Sequence, residues 1–490
     1  MLAVLPALAG LAVTAPTSSR GVAHRVLLRC ARDGAFADRA LSSAIEGAGG
    51  LSGGDRALAT ELVYGVLRHT RSLDHSLAQL ATLNRTALPT AVALRIGAYE
   101  LLHLSTPDHA AVDEAVSLIG AKAQRRFVNG VLRNLARGRG RLVSPDADPR
   151  LGARAALAVR TSTPEWLLDD VARALRGDEA AALEEEGGEA AAAEAEVVAW
   201  AEASQRAPRL ALRVNEARCT ADAALSALVG AGVDATLHPA APGCLLVRGG
   251  GAPHRLPGFA EGHWTVQDAA AALIGALAAP AAGGAVVLEL CAAPGGKTTH
   301  LASLLGEGGV VVAVELHSRK LRLIEESSAR LGVAAAVRPV AADATDVPAL
   351  RAALAAHAGG AQAADCVLVD APCSGMGTLR RNPEHRAKGR AQLAALPALQ
   401  GRLLDAASAC VRVGGVVTYS VCTPRAEEGD DVLAAFLQRH AGRFELERIE
   451  AAALRPFAAP RERWGGDVLQ TWTHRHELDS HYAARMRRVA

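Results

Sequence analysis

At 490 residues, half of them apolar, the chain is long enough for more than one domain and for sizeable cores. A formal net charge of +2 carries no bulk polyanion signature, so any nucleic-acid contact must come from a local cluster. Eight scattered cysteines without a C-x-x-C pair argue against a metal site or a disulfide framework and for a reducing compartment, and no run of eighteen strongly apolar residues asks for a membrane.

Residues 1–20 are apolar, carry Ser and Thr, and lack a basic n-region. They are set aside as an N-terminal extension; read as a transit peptide they would place the protein in a plastid, and otherwise the cytoplasm is expected. Residues 21–141 are predicted to be all helical, because apolar residues recur at helical spacing in 22–31, 57–67, 94–104 and 111–119. Pro107 and the Gly-rich stretch 47–54 punctuate them. The last helix carries Arg125, Arg126, Arg133, Arg137, Arg139 and Arg141 around Phe127 and Asn129. On residues alone this is equally a phosphate-contacting face or a solvated helix side.

Residues 142–264 read as a connector and a small α/β subdomain. A helical piece spans 166–175, and short strands at 210–214 and 245–247 flank a helix at 221–228. The Ala/Glu-rich stretch 178–206 is low in complexity and is expected to be a surface insertion, helical or disordered, facing away from any polyanion.

From 265 to 490, strand and helix patterns alternate. The sequence VVLELCAAPGGKTTHLASLL (286–305) is a buried strand, a glycine turn and a helix start, an arrangement suited to a nucleotide-like cofactor. The dinucleotide fingerprint fails, because Cys291, Ala292 and Ala293 stand where glycines are needed before Pro294. Gly296-Lys297-Thr298 imitates the end of a P-loop, but Cys291 occupies its opening glycine. An S-adenosylmethionine site predicts an acid after each of the next three strands. Glu315, Asp343 and Asp370 stand there. Solvated turn acids are common singly; three after consecutive strands are not so easily dismissed.

CAAPGGKTTH, DAPCSGMGTLRRNPE and YSVCTPRAEE, in that order, resemble the RNA cytosine-C5 methyltransferases. Within them the chain is similar to the bacterial RsmB (Sun, Fmu) group that modifies small-subunit ribosomal RNA, over nearly everything from residue 21 onward. The resemblance implies a class I methyltransferase fold at 265–490, Rossmann-like, with a mostly parallel seven-stranded sheet. It also implies an all-α NusB-like RNA-binding domain at 21–141 and a small α/β subdomain between. The expected cofactor is S-adenosyl-L-methionine, held by Cys291, Ala292, Ala293, Pro294, Gly295, Gly296, Lys297, Glu315, Asp343 and Asp370.

Cytosine C5 is a poor nucleophile, and a thiolate adding to C6 makes it enamine-like. Two cysteines follow strand ends, Cys373 and Cys422. A Pro-Cys supplies the nucleophile in DNA cytosine methyltransferases, which would nominate Cys373. The resemblance to the RNA family instead implies Cys422 as nucleophile and Cys373 in product release, with Asp370 holding the cytosine and the methionine end of the cofactor. Lys297 is expected to support the site electrostatically. Gln267 and Asp268 are expected to organise structure near the cofactor, and Glu427 and Glu428 match an acidic pair without an assigned role. Arg380, Arg381, Arg386 and Lys388 make the loop after Cys373 positive and suited to an RNA backbone. The tail LQTWTHRHELDSHYAARMRR resembles a closing hairpin whose His and Arg residues could also meet RNA. The alternatives are a transfer-RNA or other RNA substrate, or a non-catalytic RNA-binding factor.

Overall fold

The computed structural model describes residues 18–180, 187–280 and 283–490. The chain splits into two units, one of residues up to Glu165 with Asn382–Ala387, the other of Trp166–Arg381 with Lys388–Ala490. Most of the N-terminal extension lies outside the described residues.

The first unit is helical, as expected: α1 (Ser19–Asp33), α2 (Ala37–Gly47), α3 (Gly53–Ala78), α4 (Leu88–His103), α5 (Asp108–Ser117), α6 (Lys122–Gly138) and α7 (Ala153–Arg160). Ser18 caps α1 by accepting from Gly21 N, and Ser52 and Asp55 form a capping box on α3. Residues such as Val22, Val26, Leu62, Leu73, Ile96 and Leu132 fill its core. Glu100 is fully buried there and accepts twice from Arg20, at 2.6 and 2.9 Å.

The second unit begins with α8 (Glu165–Ala180) and α9 (Gly187–Gln205). A four-stranded antiparallel sheet follows, made of β1 (Leu210–Val214), β2 (Asp234–Leu237), β3 (Cys244–Arg248) and β4 (Trp264–Val266) in the order β2-β3-β1-β4, with α10 (Ala221–Gly230) between β1 and β2. The Ala/Glu-rich stretch is not a mere surface insertion. From Gly187 on it is a helix whose Val197, Trp200, Ala201 and Ser204 are buried, and the Trp200 indole donates to Ser480 Oγ at 3.1 Å. Their i, i+3, i+4, i+7 spacing is an apolar stripe that the surrounding alanines disguise.

The large sheet holds β5 (Val286–Leu290), β6 (Val310–Glu315), β7 (Val337–Ala341), β8 (Ala364–Asp370), β9 (Val411–Val421), β10 (Phe444–Leu446), β11 (Ala458–Arg461), β12 (Gly466–Gln470) and β13 (Tyr482–Arg488). Strands β7-β6-β5-β8-β9 are parallel, and β13, β12 and β11 continue the sheet antiparallel, with β10 also on β13. Among the described residues the seven expected strands are thus extended by β10 and β11 to nine. Helices α11 (Ala269–Ala278), α12 (Gly296–Leu304), α13 (Ser318–Leu331) and α14 (Val347–His357) connect this half. Chain order reverses between β5 and β8, so a ligand site is expected outside their carboxyl ends. No helix among the described residues is long and apolar enough to cross a membrane.

Candidate active site

At the carboxyl end of β5 the chain turns through Cys291, Ala292, Ala293 and Pro294 into α12. Gly295 sits at φ 100° there, and a Cβ on it would lie 3.1 Å from the Ile324 backbone, so the turn demands glycine. Glu315 ends β6 next door; its Oε1 accepts from His317 N at 3.1 Å and Lys320 Nζ at 3.0 Å. Asp343 follows β7, exposed, and accepts from the Thr345 amide and hydroxyl. Asp370 ends β8. The glycine turn, α12 and three carboxylates therefore share the carboxyl end of the parallel strands, where carboxylate oxygens can accept from ribose and amine donors. They fit S-adenosylmethionine.

Asp370 joins this end to two sulfurs. Its Oδ2 meets Lys297 Nζ at 2.7 Å, and Ser420 Oγ donates to its Oδ1 at 2.9 Å. Burial works against the Lys297 charge, but the Asp370 carboxylate holds the ammonium above its ordinary value. Three residues past Asp370 lies Cys373, and two past Ser420 lies Cys422; their sulfurs are 3.3 Å apart, both partly exposed. Contact with the Cys422 sulfur, then burial, pushes the Cys373 thiol well above its ordinary value. Cys373 therefore holds its proton more firmly than an ordinary thiol, within hydrogen-bond reach of the Cys422 sulfur. Cys30, Cys244, Cys291, Cys366 and Cys410 are raised too, each by burial first, as for inert thiols.

What holds the two cysteine loops together was not readable from the sequence. Glu428 is fully buried and accepts from Ser374 N at 2.8 Å, Gln400 Nε2 at 3.0 Å and Arg425 Nη1 at 2.9 Å. Ser374 follows Cys373 and Arg425 lies three residues past Cys422, so one carboxylate ties both loops. Arg425 is equally buried, pairs with Asp170 at 2.7 Å and with Glu427, and lies over the Trp166 ring. Ser374 and Thr423 hydroxyls join at 2.9 Å. Gly377 sits against both Cys422 and the C-terminal segment: its amide donates to Cys422 O, and its carbonyl accepts from Ser480 N, each at 3.0 Å. A Cβ at Gly377 would fall 1.7 Å from Ser480 O, which no side chain tolerates. The acidic pair was visible as AEE, but nothing local distinguishes a clamp from a solvated turn.

Glu289, on β5, was also missed. It is buried, and its Oε2 has no hydrogen-bond partner. Burial pushes its carboxyl up to about 8. The folded state thus keeps a proton that an unfolded chain, titrating near ~4.3, releases. This contribution to stability is full below the unfolded value and declines as pH rises toward 8. Glu289→Gln is expected to flatten that decline in melting curves taken from pH ~5 to ~8; a variant as pH-sensitive as the wild type over this window excludes Glu289 as its source.

The expected RNA contacts divide. Arg125, Arg126 and Arg133 are exposed on α6 beside the half-exposed Phe127, with Arg133 bonded to Asn129. Arg380 and Arg381, expected to face an RNA backbone, are instead engaged by carboxylates. Arg381 spans Asp268 at 2.6 Å and Asp479 at 2.8 Å, and Arg380 meets Asp479 at 3.2 Å. Arg386 is buried in the first unit, and Lys388 donates to Ser374 O. His474 and Arg475 of the closing hairpin both pair with Glu196. Among the described residues no cluster of three metal-ligating side chains occurs.

Comparison with known proteins agrees with this geometry. Residues 276–487 match the family model of the 16S rRNA methyltransferase RsmB/F, residues 17–137 that of the NusB family, and residues 189–252 that of the RsmF/B-like ferredoxin-like domain. The chain is 32% identical over 433 residues to the probable ribosomal RNA small subunit methyltransferase B of Synechocystis sp., spanning 86% of this chain and 90% of that one. It is 32% identical over 452 residues to the probable enzyme of the same name in Bacillus subtilis, spanning 90% and 93%. The chain belongs to the RsmB family. The RsmB assignment carries S-adenosylmethionine as cofactor, in keeping with the strand-edge acids. The crystal structure of PH0851 is similar with a TM-score of 0.75 at 22% identity, covering 98% of this chain and all of that one, which bears out the fold. The ferredoxin-like match begins inside the Ala/Glu-rich helix, so α9 is part of that RsmB domain.

Proposed function

We propose that the protein methylates C5 of a cytosine in small-subunit ribosomal RNA, in the cytoplasm, with Cys422 as nucleophile. The observation that carries this is the 3.3 Å approach of two sulfurs beside the Lys297–Asp370 pair, at the strand ends that hold the glycine turn. S-adenosylmethionine, when bound, supplies an electrophilic methyl group. The Cys422 sulfur adds to C6 as a thiolate, which raises electron density at C5. Asp370, fixed between Lys297 and Ser420, accepts from the exocyclic amine of the base. After C5 has gained the methyl, its proton passes to solvent water, the C5–H electron pair re-forms the C5=C6 bond, and the C6–S bond breaks so that the Cys422 thiolate leaves into a hydrogen bond from Cys373. A donor placed at the leaving atom lowers that barrier. Glu315 and Asp343 take the ribose and adenine ends of the cofactor.

The target base must be unpaired or extruded for a sulfur to reach C6. Placement falls to the helical unit. Neutralising Arg125, Arg126 and Arg133 together is expected to reduce the slope of log affinity against log salt by about 2, without lowering the melting temperature; an unchanged slope removes α6 from the interface. The direct test of function is transfer of labelled methyl from S-adenosylmethionine to small-subunit ribosomal RNA, read as 5-methylcytosine. Absence of label with wild-type protein overturns the proposal.

A further inference from the structure

A cleft of about 600 Å³ opens within the second unit, between the end of α9, the start of β1, β3, and the turn that follows the Cys373 loop. Arg206, Arg209, Arg248, Arg380 and Arg381 line it. Three of these guanidinium groups are already answered: Arg380 and Arg381 by Asp479 and Asp268, and Arg209 by Glu477 at 3.6 Å. Arg206 and Arg248 are exposed and have no ion-pair partner among the described residues. They stand on different elements, at the end of α9 and at the last residue of β3.

We infer that this cleft holds the sugar-phosphate backbone of the RNA strand flanking the target cytosine, with Arg206 and Arg248 on phosphates. A guanidinium without a carboxylate partner is a bidentate phosphate ligand, and two of them flanking one cleft suit a chain of phosphates better than a lone anion. The position favours RNA over an acidic peptide. Asp268 belongs to the cleft wall, and its neighbour Gln267 lies against Gly296, where a Cβ would be 3.4 Å from Gln267 Nε2. One residue, Gln267, thus stands between the cleft wall at Asp268 and the cofactor turn at Gly296. Arg381 shapes the cleft from the other side, eight residues past Cys373 and locked by its two carboxylates. The expected backbone contact of the cysteine loop is thus displaced onto two arginines of the ferredoxin-like region. This inference rests on the RNA methyltransferase reading above.

The test uses full-length protein, transcribed small-subunit ribosomal RNA, and the variants R206A, R248A and the pair. Neutralising both is expected to lower the salt slope of RNA binding by about 1.4, so that affinity falls about sevenfold less between 50 and 200 mM salt. KM for RNA should rise, while kcat at saturating RNA and the affinity for S-adenosylmethionine stay at wild-type values. Slopes and KM equal to wild type overturn the inference, as does a cleft that binds polyglutamate in an Arg206- and Arg248-dependent way while RNA binding is unaffected. If wild-type protein transfers no methyl, the functional reading fails, yet the binding slopes still decide the cleft.

Discussion

Cys373→Ala protein incubated with S-adenosylmethionine and its RNA is expected to accumulate a covalent protein–RNA adduct, visible as a band that resists denaturing electrophoresis. Cys422→Ala should form none and lose turnover by about 10⁴-fold or more, as when a nucleophile is removed from a unit that acts together. The asymmetry follows from protonation. The two sulfurs lie 3.3 Å apart, and the Cys373 thiol, pushed up by that contact and by burial, keeps its S–H as a donor to the sulfur beside it. Removing it leaves the attacking sulfur intact but takes the hydrogen-bond donor from the bond that must break last. Addition and methyl transfer proceed; expulsion stalls. Cys373→Ser is an informative intermediate, because a hydroxyl also donates and should shorten the lifetime of the adduct. An adduct that forms in the Cys422 variant and not in the Cys373 variant reverses the two roles.

Glu428→Ala is expected to destabilise the protein by roughly 1–3 kcal/mol, the range for leaving a buried donor without its acceptor. Arg425 keeps Asp170 and Glu427, so its charge is not orphaned, and Gln400 Nε2 keeps the Pro372 carbonyl, but the buried Ser374 N loses its acceptor. Glu428→Gln separates structure from chemistry. It retains an acceptor for Ser374 and should cost less stability, yet it loosens the Arg425 side and with it the Cys422 loop. The expected signature is a lowered kcat with KM for RNA little changed. Denaturant midpoints within error of wild type for Glu428→Ala would show that the two cysteine loops are held by something else.

The cofactor edge was legible because its markers are local. A strand, a glycine turn and an acid at each following strand end are adjacent in sequence, and the fold only aligns them. The sulfur pair was legible as two strand-end cysteines, though only the resemblance chose between them. The clamp was not legible, because Arg425 acquires its meaning from Asp170, 255 residues away. The carboxylate partners of Arg380 and Arg381 were hidden for the same reason: a basic dipeptide says nothing about Asp479, which sits 98 residues beyond Arg381. Alanine-rich composition misled at α9, where one apolar stripe with Trp200 at its centre is enough to dock a helix. Glu289 was hidden in plain sight, since a carboxyl group inside an apolar strand is unremarkable until its burial and its unpartnered Oε2 are seen.

Strand β13 lies in the middle of the antiparallel half of the sheet, hydrogen-bonded to β9 on one side and β12 on the other. The residue just ahead of it, His481, follows the Ser480 that seats Gly377 against Cys422. During translation every other strand of that sheet emerges earlier, so β9 waits with an unpaired edge and the Cys422 loop without its backing. The Cys422 loop therefore gains its backing only once β13 has paired with β9 and Ser480 has met Gly377.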